Sequence, residues 1–449
     1  MEEKMKITKL GSATVIIETK NSKILCDPWL TDGAYYGAWC NFPPIDLDKC
    51  NLSGIDFVYI SHIHPDHFDP KTMAHIDQST PVLIHQYHKN ILKSNIERLG
   101  FNVIELENGV PFSIDSNEKI TIYAADNCDP TICGYMFGCV TKDIKGSMQL
   151  DSLCVIEDGQ YTLVNTNDCP FEIAKQALIE VKRNHDLIDF ALVGYTSASL
   201  YPHCMMEYSE ADMELGIQRA RNKKLTSALK TLSVLQPRFY MPFAGTYILG
   251  GINYEKNANL PIPEMQDAVS YLQSELNKLA QALNPVLLNY LQSFDLASET
   301  QSQEYNPISP KERREYIFNV AKNFKYDFED DEYPTDNELF QLFNESMIRF
   351  KRKQLEVGLF EDVNLIFDLP SNSYILINLQ DSIPKIVSDI ESVDKFHRFK
   401  LDPRLLKRAL TGPHMANWNN IGIGAHLEFA RRPDLFRFDI HTLINAMYI

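Results

Sequence analysis

The chain has 449 residues, enough for two or three domains that each bury a core. Its composition is globular, 44% apolar and 23% charged, and its formal net charge of −17 argues against nucleic-acid or anionic-membrane binding, since both want a basic face. No run approaches the roughly 18 apolar residues of a membrane span, residues Met1–Lys6 hold no signal-peptide core, and nine cysteines without a C-x-x-C pair read as reduced thiols of a cytoplasmic protein.

Residues 6–28 alternate like two strands joined by a turn at Lys20-Asn21-Ser22-Lys23, and the second runs into Asp27-Pro28-Trp29-Leu30. Asp27, at a strand end, either orients a metal ligand from behind or simply forms a turn before proline. Residues 31–56 read as an irregular loop with Tyr35, Tyr36, Trp39 and Phe42, which packs over a core or walls a pocket.

The apolar run Phe57-Val58-Tyr59-Ile60 then delivers His62, His64, Asp66 and His67. Neutral imidazoles and carboxylates bind zinc or iron. His62 and His64 are two apart, so an extended chain points both to one side. Asp66 and His67 follow the Pro65 turn and can reach a second metal position. The chain holds only 12 histidines, so three within six positions argue for a metal site over a merely polar loop. His75, His85, His88 and His185 read as surface or packing residues.

A helix over about 86–99 and a strand over 101–106 follow. Strands are expected near 119–125, 152–156 and 161–166, then a helix near 170–184 and a strand at 189–194. His203 is either one more imidazole near the cluster or an exposed loop residue. Ser209-Glu210-Ala211-Asp212 has the form of a capping box. It opens a helix to about Leu235, with Met213, Ile217, Ala220 and Leu229 on one face. Arg219, Arg221, Lys223, Lys224 and Lys230 make part of that helix basic, either as a solvated face or as a phosphate-binding rim. Of these, Arg219, Lys223 and Lys230, with His203, are the substrate-binding candidates. Pro237 closes the helix and a strand follows at Phe239–Pro242.

The texture changes near residue 260, which divides the chain into 1–260, metal-binding, and 261–449. The second part begins with an amphipathic helix at Val269, Leu272, Leu276, Leu279 and Leu283. Residues 298–312 and the acidic 327–332 read as solvated loops. A smaller α+β unit follows from about 345, with strands near 363–367 and 373–377 and helical segments to the C-terminus. His414, Trp418 and Asn419 could reach a substrate or could anchor the tail.

His62-Ile63-His64-Pro65-Asp66-His67 resembles the H-x-H-x-D-H signature of the metallo-β-lactamase superfamily. Ile24–Leu30 fits that superfamily's first motif, and Val164-Asn165-Thr166-Asn167-Asp168-Cys169 its fourth, whose Asp bridges two metals. Asp27–Thr31, Asn165–Cys169, Leu235–Gly245 and Arg431-Arg432-Pro433-Asp434 narrow the resemblance to the metallo-β-lactamase-like part of the CMP-N-acetylneuraminate hydroxylases. The resemblance implies an α/β fold: a four-layered αββα sandwich, here with a C-terminal α-rich (α+β) subdomain. It implies one or two divalent metals held by His62, His64, Asp66, His67 and Asp168, with Asp66 and Asp168 also catalytic.

The chain departs from the superfamily pattern in two places. Phe243 and Ala244 stand where a fifth-motif histidine is expected. At the first metal, Ala125–Pro130 offers carboxylates in place of a third histidine. Asp129 is the candidate ligand there, because the hydroxylases carry histidine at that place. A set of two histidines and a carboxylate suits non-haem iron, so the expectation is an iron-dependent hydroxylase acting on a nucleotide-linked or phosphorylated sugar. A zinc- or manganese-dependent hydrolase of a phosphate ester or lactone is the alternative, and a degenerate metal-binding module a third. The hydroxylases carry a Rieske segment, whose Cys and His pairs this sequence lacks. Electrons are therefore expected from a separate donor protein.

Overall fold

The computed structural model describes residues 5–87, 90–125, 151–196 and 198–449. Two sheets face each other. The first has eight strands in the order Thr300–Gln301, Ser293–Asp295, Lys6–Lys9, Val15–Glu18, Lys23–Cys26, Phe57–Tyr59, Val82–His85 and Val103–Leu106. The second has seven, in the order Asn284–Pro285, Phe239–Phe243, Phe190–Gly194, Thr162–Asn165, Ser152–Glu157, Lys119–Ala124 and Phe112–Ser113.

Period-two alternation sorts their side chains into layers. Val15, Ile17, Ile24 and Cys26 face the core between the sheets, where they meet Cys154, Ile156, Leu163 and Phe243. Ile16 and Leu25 turn outward to a core closed by Leu92 and Ile96 of the helix Ile91–Arg98. On the far side, Leu153 and Val155 meet Leu178, Leu232 and Leu272 from three helices. Three apolar cores between four layers are the expected αββα sandwich. Each buried Ile or Leu contributes about 1.5–3 kcal/mol against exposure.

Several elements differ from expectation. The helix placed at 86–99 covers only Ile91–Arg98, because Asn90 caps it and His85 ends a buried strand. The helix Glu210–Leu235 has its capping box, with Ser209 and Asp212 bonded in both directions. Its buried stripe runs through Ile217, Leu225, Ala228, Leu232 and Leu235, while Met213, Ala220 and Leu229 lie at the edge.

The strand ladders also run past residue 260. Helix Met265–Lys278 covers the second sheet with Ala268, Leu272 and Leu276, and strand Ser293–Asp295 pairs with Lys6–Lys9. The amphipathic stripe at 269–276 thus closes the first unit instead of opening a second.

Beyond it, a five-stranded sheet runs in the order Lys385–Val387, Tyr374–Asn378, Asn364–Asp368, Phe396–Lys400 and Glu428–Arg432. Three of these strands fall where helices were expected. Phe396-His397-Arg398-Phe399-Lys400 is short and polar, and the neighbouring strands supply its pairing. The acidic loop at 327–332 is tied down: Arg408 bonds Asp327 and Asp331, and Phe328 is buried. One core joins this unit to the aromatic loop, with Trp29, Tyr35 and Trp39 packed among Phe328, Phe343 and Phe367. Among the described residues, no helix is long and apolar enough to cross a membrane.

Candidate metal centre

Strands Lys23–Cys26 and Phe57–Tyr59 are parallel neighbours, so Asp27 and the His62–His67 segment leave the sheet side by side. The Asp27 carboxylate accepts from Ser61 N at 2.7 Å and from Ser61 Oγ at 2.9 Å. It also lies 3.0 Å from His67 Nδ1. That pairing fixes the His67 tautomer and turns Nε2 away from the sheet. Nε2 stands 3.5 Å from Asp66 Oδ2 and 3.4 Å from Asp168 Oδ2. His67 Nε2 and Asp66 Oδ2 are buried without a hydrogen-bond partner.

The Ser61 hydroxyl donates to Asp27 and accepts from His62 Nδ1 at 2.9 Å. His64 Nε2 donates to Asn419 Oδ1 at 3.0 Å. These two bonds leave His62 Nε2 and His64 Nδ1 facing each other at 2.8 Å with a lone pair on each. Two lone pairs at that distance repel unless a cation ties them together. Two ligands at about 2.1 Å from one ion stand near that separation. Asp151 Oδ1 lies 3.8 Å from His62 Nε2. Ligand atoms of His62, His64 and Asp151 fall within 4.8 Å of one another, and so do those of His62, His67 and Asp168. The donor set therefore fits one or two divalent ions.

Electrostatics point the same way. Asp27 and Asp66 are 0% and 1% exposed, and Asp151 and Asp168 stand beside them. Buried carboxylates need cationic partners. Burial pushes Asp151 up to about 6. Burial also raises Asp66, although His67 opposes it. Lys224 is the lysine beside this group, lining a small cavity with Asp168.

Other parts of the chain hold the cluster in place. Asp168 sits on a loop where Asn167 Nδ2 donates to Ser152 O at 3.0 Å and Asn167 Oδ1 accepts from Asp168 N at 2.9 Å. A Cβ at Gly194 would stand 2.3 Å from Asn167 O, so that approach requires glycine. Ser152 Oγ donates to Ser61 O at 2.8 Å, joining the two sheets next to Asp151. Tyr35 of the aromatic loop donates its hydroxyl to Asp66 Oδ1, and its carbonyl accepts from His426 at 2.8 Å. The loop packs over the core and walls the site at once.

The structure brings His62, His64, Asp66, His67 and Asp168 together. Asp129 lies outside the described residues. Asp151, which sequence reasoning missed, is the carboxylate that lies with His62 and His64. The signal was its place just before strand Ser152–Glu157, antiparallel to Lys119–Ala124, whose end lies on this edge.

The expected basic rim is placed differently. Arg219 and Lys223 are exposed, and Lys230 pairs with Glu172 at 3.7 Å, 5.6 Å above the Phe171 ring. The helical period turns Lys224, seven residues after buried Ile217, toward the cluster. His203 joins neither ligand group. Strand Glu428–Arg432 covers its turn, since Phe429 N donates to Cys204 O and Met206 N to Phe429 O. Its ring is buried with neither nitrogen bonded, and burial, then Lys256, lowers it to about 3. Phe243 belongs to the core between the sheets.

Comparison with known proteins agrees with this architecture. The Beta-lactamase superfamily domain matches residues 6–163. A Mycolicibacterium smegmatis protein named for a Rieske 2Fe-2S iron-sulfur centre is 28% identical over 245 residues, covering 54% of this chain and 43% of that protein. Cytidine monophosphate-N-acetylneuraminic acid hydroxylase of Cricetulus griseus is 25% identical over 256 residues, covering 54% of this chain and 40% of the hydroxylase. The chain thus spans under half the length of these curated relatives. Among solved structures, CmlA, a diiron beta-hydroxylase from Streptomyces venezuelae, is 13% identical with a TM-score of 0.40, covering 66% of this chain and 54% of CmlA. Isothiocyanate hydrolase from Delia radicum gut bacteria is also 13% identical, with a TM-score of 0.43, covering 65% of this chain and 98% of the hydrolase. Residues 6–163 match the β-lactamase superfamily domain, and the sandwich built on them has the metallo-β-lactamase fold.

Proposed function

We propose that this chain is an iron-dependent, oxygenase-type enzyme that hydroxylates a small phosphate-bearing molecule, such as a nucleotide-linked or phosphorylated sugar. The observation that supports it is the set His62 Nε2, His64 Nδ1 and Asp151. Two imidazoles and one carboxylate at a single position are the set that suits non-haem iron, with faces left open. Asp66, His67 and Asp168 would hold a second ion. Iron held by these residues would supply the redox chemistry by which electrons from a donor reach dioxygen.

The chain's own residues hold and orient. Asp27 keeps His67 in the tautomer that presents Nε2, and Ser61 does the same for His62. Asn419 fixes His64 from the C-terminal unit, and the Tyr35 hydroxyl holds Asp66. Asp168 Oδ2 can accept a proton from a reacting group, while Lys224 beside it attracts an anionic substrate. The Rieske-named and hydroxylase relatives support a redox reading in which an iron-sulfur electron donor serves the site. Six described cysteines are free and buried, which suits a reducing, cytoplasmic setting.

A second reading is hydrolysis of a phosphate ester or lactone with zinc or manganese. It is favoured by Asp168, whose carboxylate lies within ligand range of His62 and His67 and could orient water at an ion held there. Oxygen consumption separates the two readings. The oxidative reading expects at most one turnover from the purified protein alone and sustained uptake once a reductase and a Rieske-type donor are added. Repeated turnover without oxygen or reductant supports hydrolysis instead.

A further inference from the structure

A cavity of about 700 Å³ lies beside the metal cluster, between the sandwich edge and the helix Pro310–Asn319. Its wall carries four basic side chains, Lys9, Arg221, Arg313 and Arg314, and two acidic ones, Glu255 and Glu264. The chain as a whole has 60 acidic residues to 43 basic ones, so this wall reverses its charge balance. Both carboxylates are already engaged. Glu264 takes a two-pronged bond from Arg313, and Glu255, on the exposed rim, accepts from the Tyr254 hydroxyl at 3.0 Å.

The other three cations have no carboxylate partner among the described residues. Arg221 makes one long bond to Ile262 O at 3.5 Å, and its Nε is buried with no partner. Burial alone lowers Lys9 to about 8, with no carboxylate offsetting it. Arg314 stands exposed on the helix Pro310–Asn319.

A further orphaned group belongs to this wall. Asn41 Nδ2 is buried without a hydrogen-bond partner, and the residue is over nine-tenths buried. It can donate, as can Arg221 Nε. Buried donors left unpaired are costly, so a wall that collects two of them suits a ligand rich in oxygen acceptors. Tyr195, Tyr254 and Phe318 give the same wall faces for an organic body.

We propose that this cavity binds a small organic molecule bearing phosphate or carboxylate groups, its acidic groups met by Lys9, Arg221 and Arg314 and a remaining oxygen by Asn41. The site is separate from the metal chemistry. It is nevertheless adjacent: Tyr195 lines both this cavity and the small one at Asp168, and Arg221 lies one helical turn from Lys224.

Isothermal titration of the full chain with pyrophosphate and, separately, with citrate tests the site and distinguishes phosphate from carboxylate recognition. The protein is first dialysed against chelator, and His64→Ala is run in parallel. At least one probe should bind saturably with a Kd below about 1 mM. Arg221→Gln should weaken it about tenfold, as loss of a charge-assisted contact does. Arg314→Gln, on the exposed rim, should weaken it by a smaller factor without disturbing the fold, and Lys385→Gln should change nothing. Binding kept by His64→Ala supports the cavity whichever metal reaction proves correct. Three results would overturn the proposal: no saturable heat from either probe up to about 10 mM, affinity unchanged in both arginine variants, or binding that vanishes with the metal.

Discussion

His67 and His203 are buried to nearly the same degree, 0% and 5% exposed, and their surroundings give opposite results. Burial works against a charge on either ring. Around His67, Asp66, Asp168 and Asp27 overcome it and raise the imidazole well above its ordinary value. Around His203, nothing opposes burial, Lys256 adds to it, and the ring falls to about 3. A buried histidine is therefore not a site in itself. Carboxylates held at a strand edge make one, because their charge needs a cation that one imidazole cannot fully supply.

The comparison breaks most severely if a ligand is removed. His64→Ala or Asp151→Ala should lower metal content and abolish activity while circular dichroism and Tm stay near wild type. A variant of either kind that keeps full metal and activity would place the site elsewhere. Next comes Asp27→Asn, which leaves the ligands in place but weakens the acceptor that sets the His67 tautomer. Metal affinity should fall about 10- to 100-fold, read by competition with a chromophoric chelator. Asn419→Ala removes the corresponding acceptor at His64. That residue lies nearer solvent, so the loss should be about tenfold or less.

The smallest effect on metal belongs to the other half of the comparison. His203→Leu should leave metal stoichiometry unchanged. It should hold or raise stability by about 1 kcal/mol, since an apolar side chain replaces an unbonded imidazole. Phe243→Ala, between the sheets, should cost about 3–5 kcal/mol of stability and leave metal stoichiometry intact. Chemical denaturation beside metal analysis reads both.

Much of the centre was legible because its chemistry is local. His62, His64, Asp66 and His67 lie within six positions behind an apolar strand, and period two alone puts the first pair on one side. Asp168 came from the resemblance of Val164–Cys169 to the superfamily's fourth motif, and Asp27, at its strand end, stood open between orienting a ligand and forming a turn. Asp151 was not legible in the same way. It is a lone carboxylate, and it joins the site only because strand Ser152–Glu157 runs antiparallel to Lys119–Ala124. Lys224 was hidden among four basic neighbours until the helical phase was fixed by the buried stripe at Ile217, Leu225 and Ala228.

Asn419 depends on a contact across 355 residues, made when the C-terminal unit packs on the aromatic loop. No local pattern encodes it. The same holds for the fold. The alternating strands up to Gly194 could be read directly, whereas Phe396–Lys400 became a strand through its partners. The helix Met265–Lys278 looked like a new beginning because an amphipathic stripe does not say which sheet it covers.

The central claim is that His62, His64 and Asp151, with His67 and Asp168 beside them, form a metal centre that favours iron. Its most direct test is metal analysis and the optical spectrum of protein purified without chelators or added metal, wild type beside Asp151→Ala. The account predicts one or two bound ions per wild-type chain, iron with oxygen-dependent absorbance, and a clear loss in the variant. Stoichiometric zinc would move the chemistry to hydrolysis. A wild-type chain without metal, or Asp151→Ala with the same iron content and spectrum, would contradict the account.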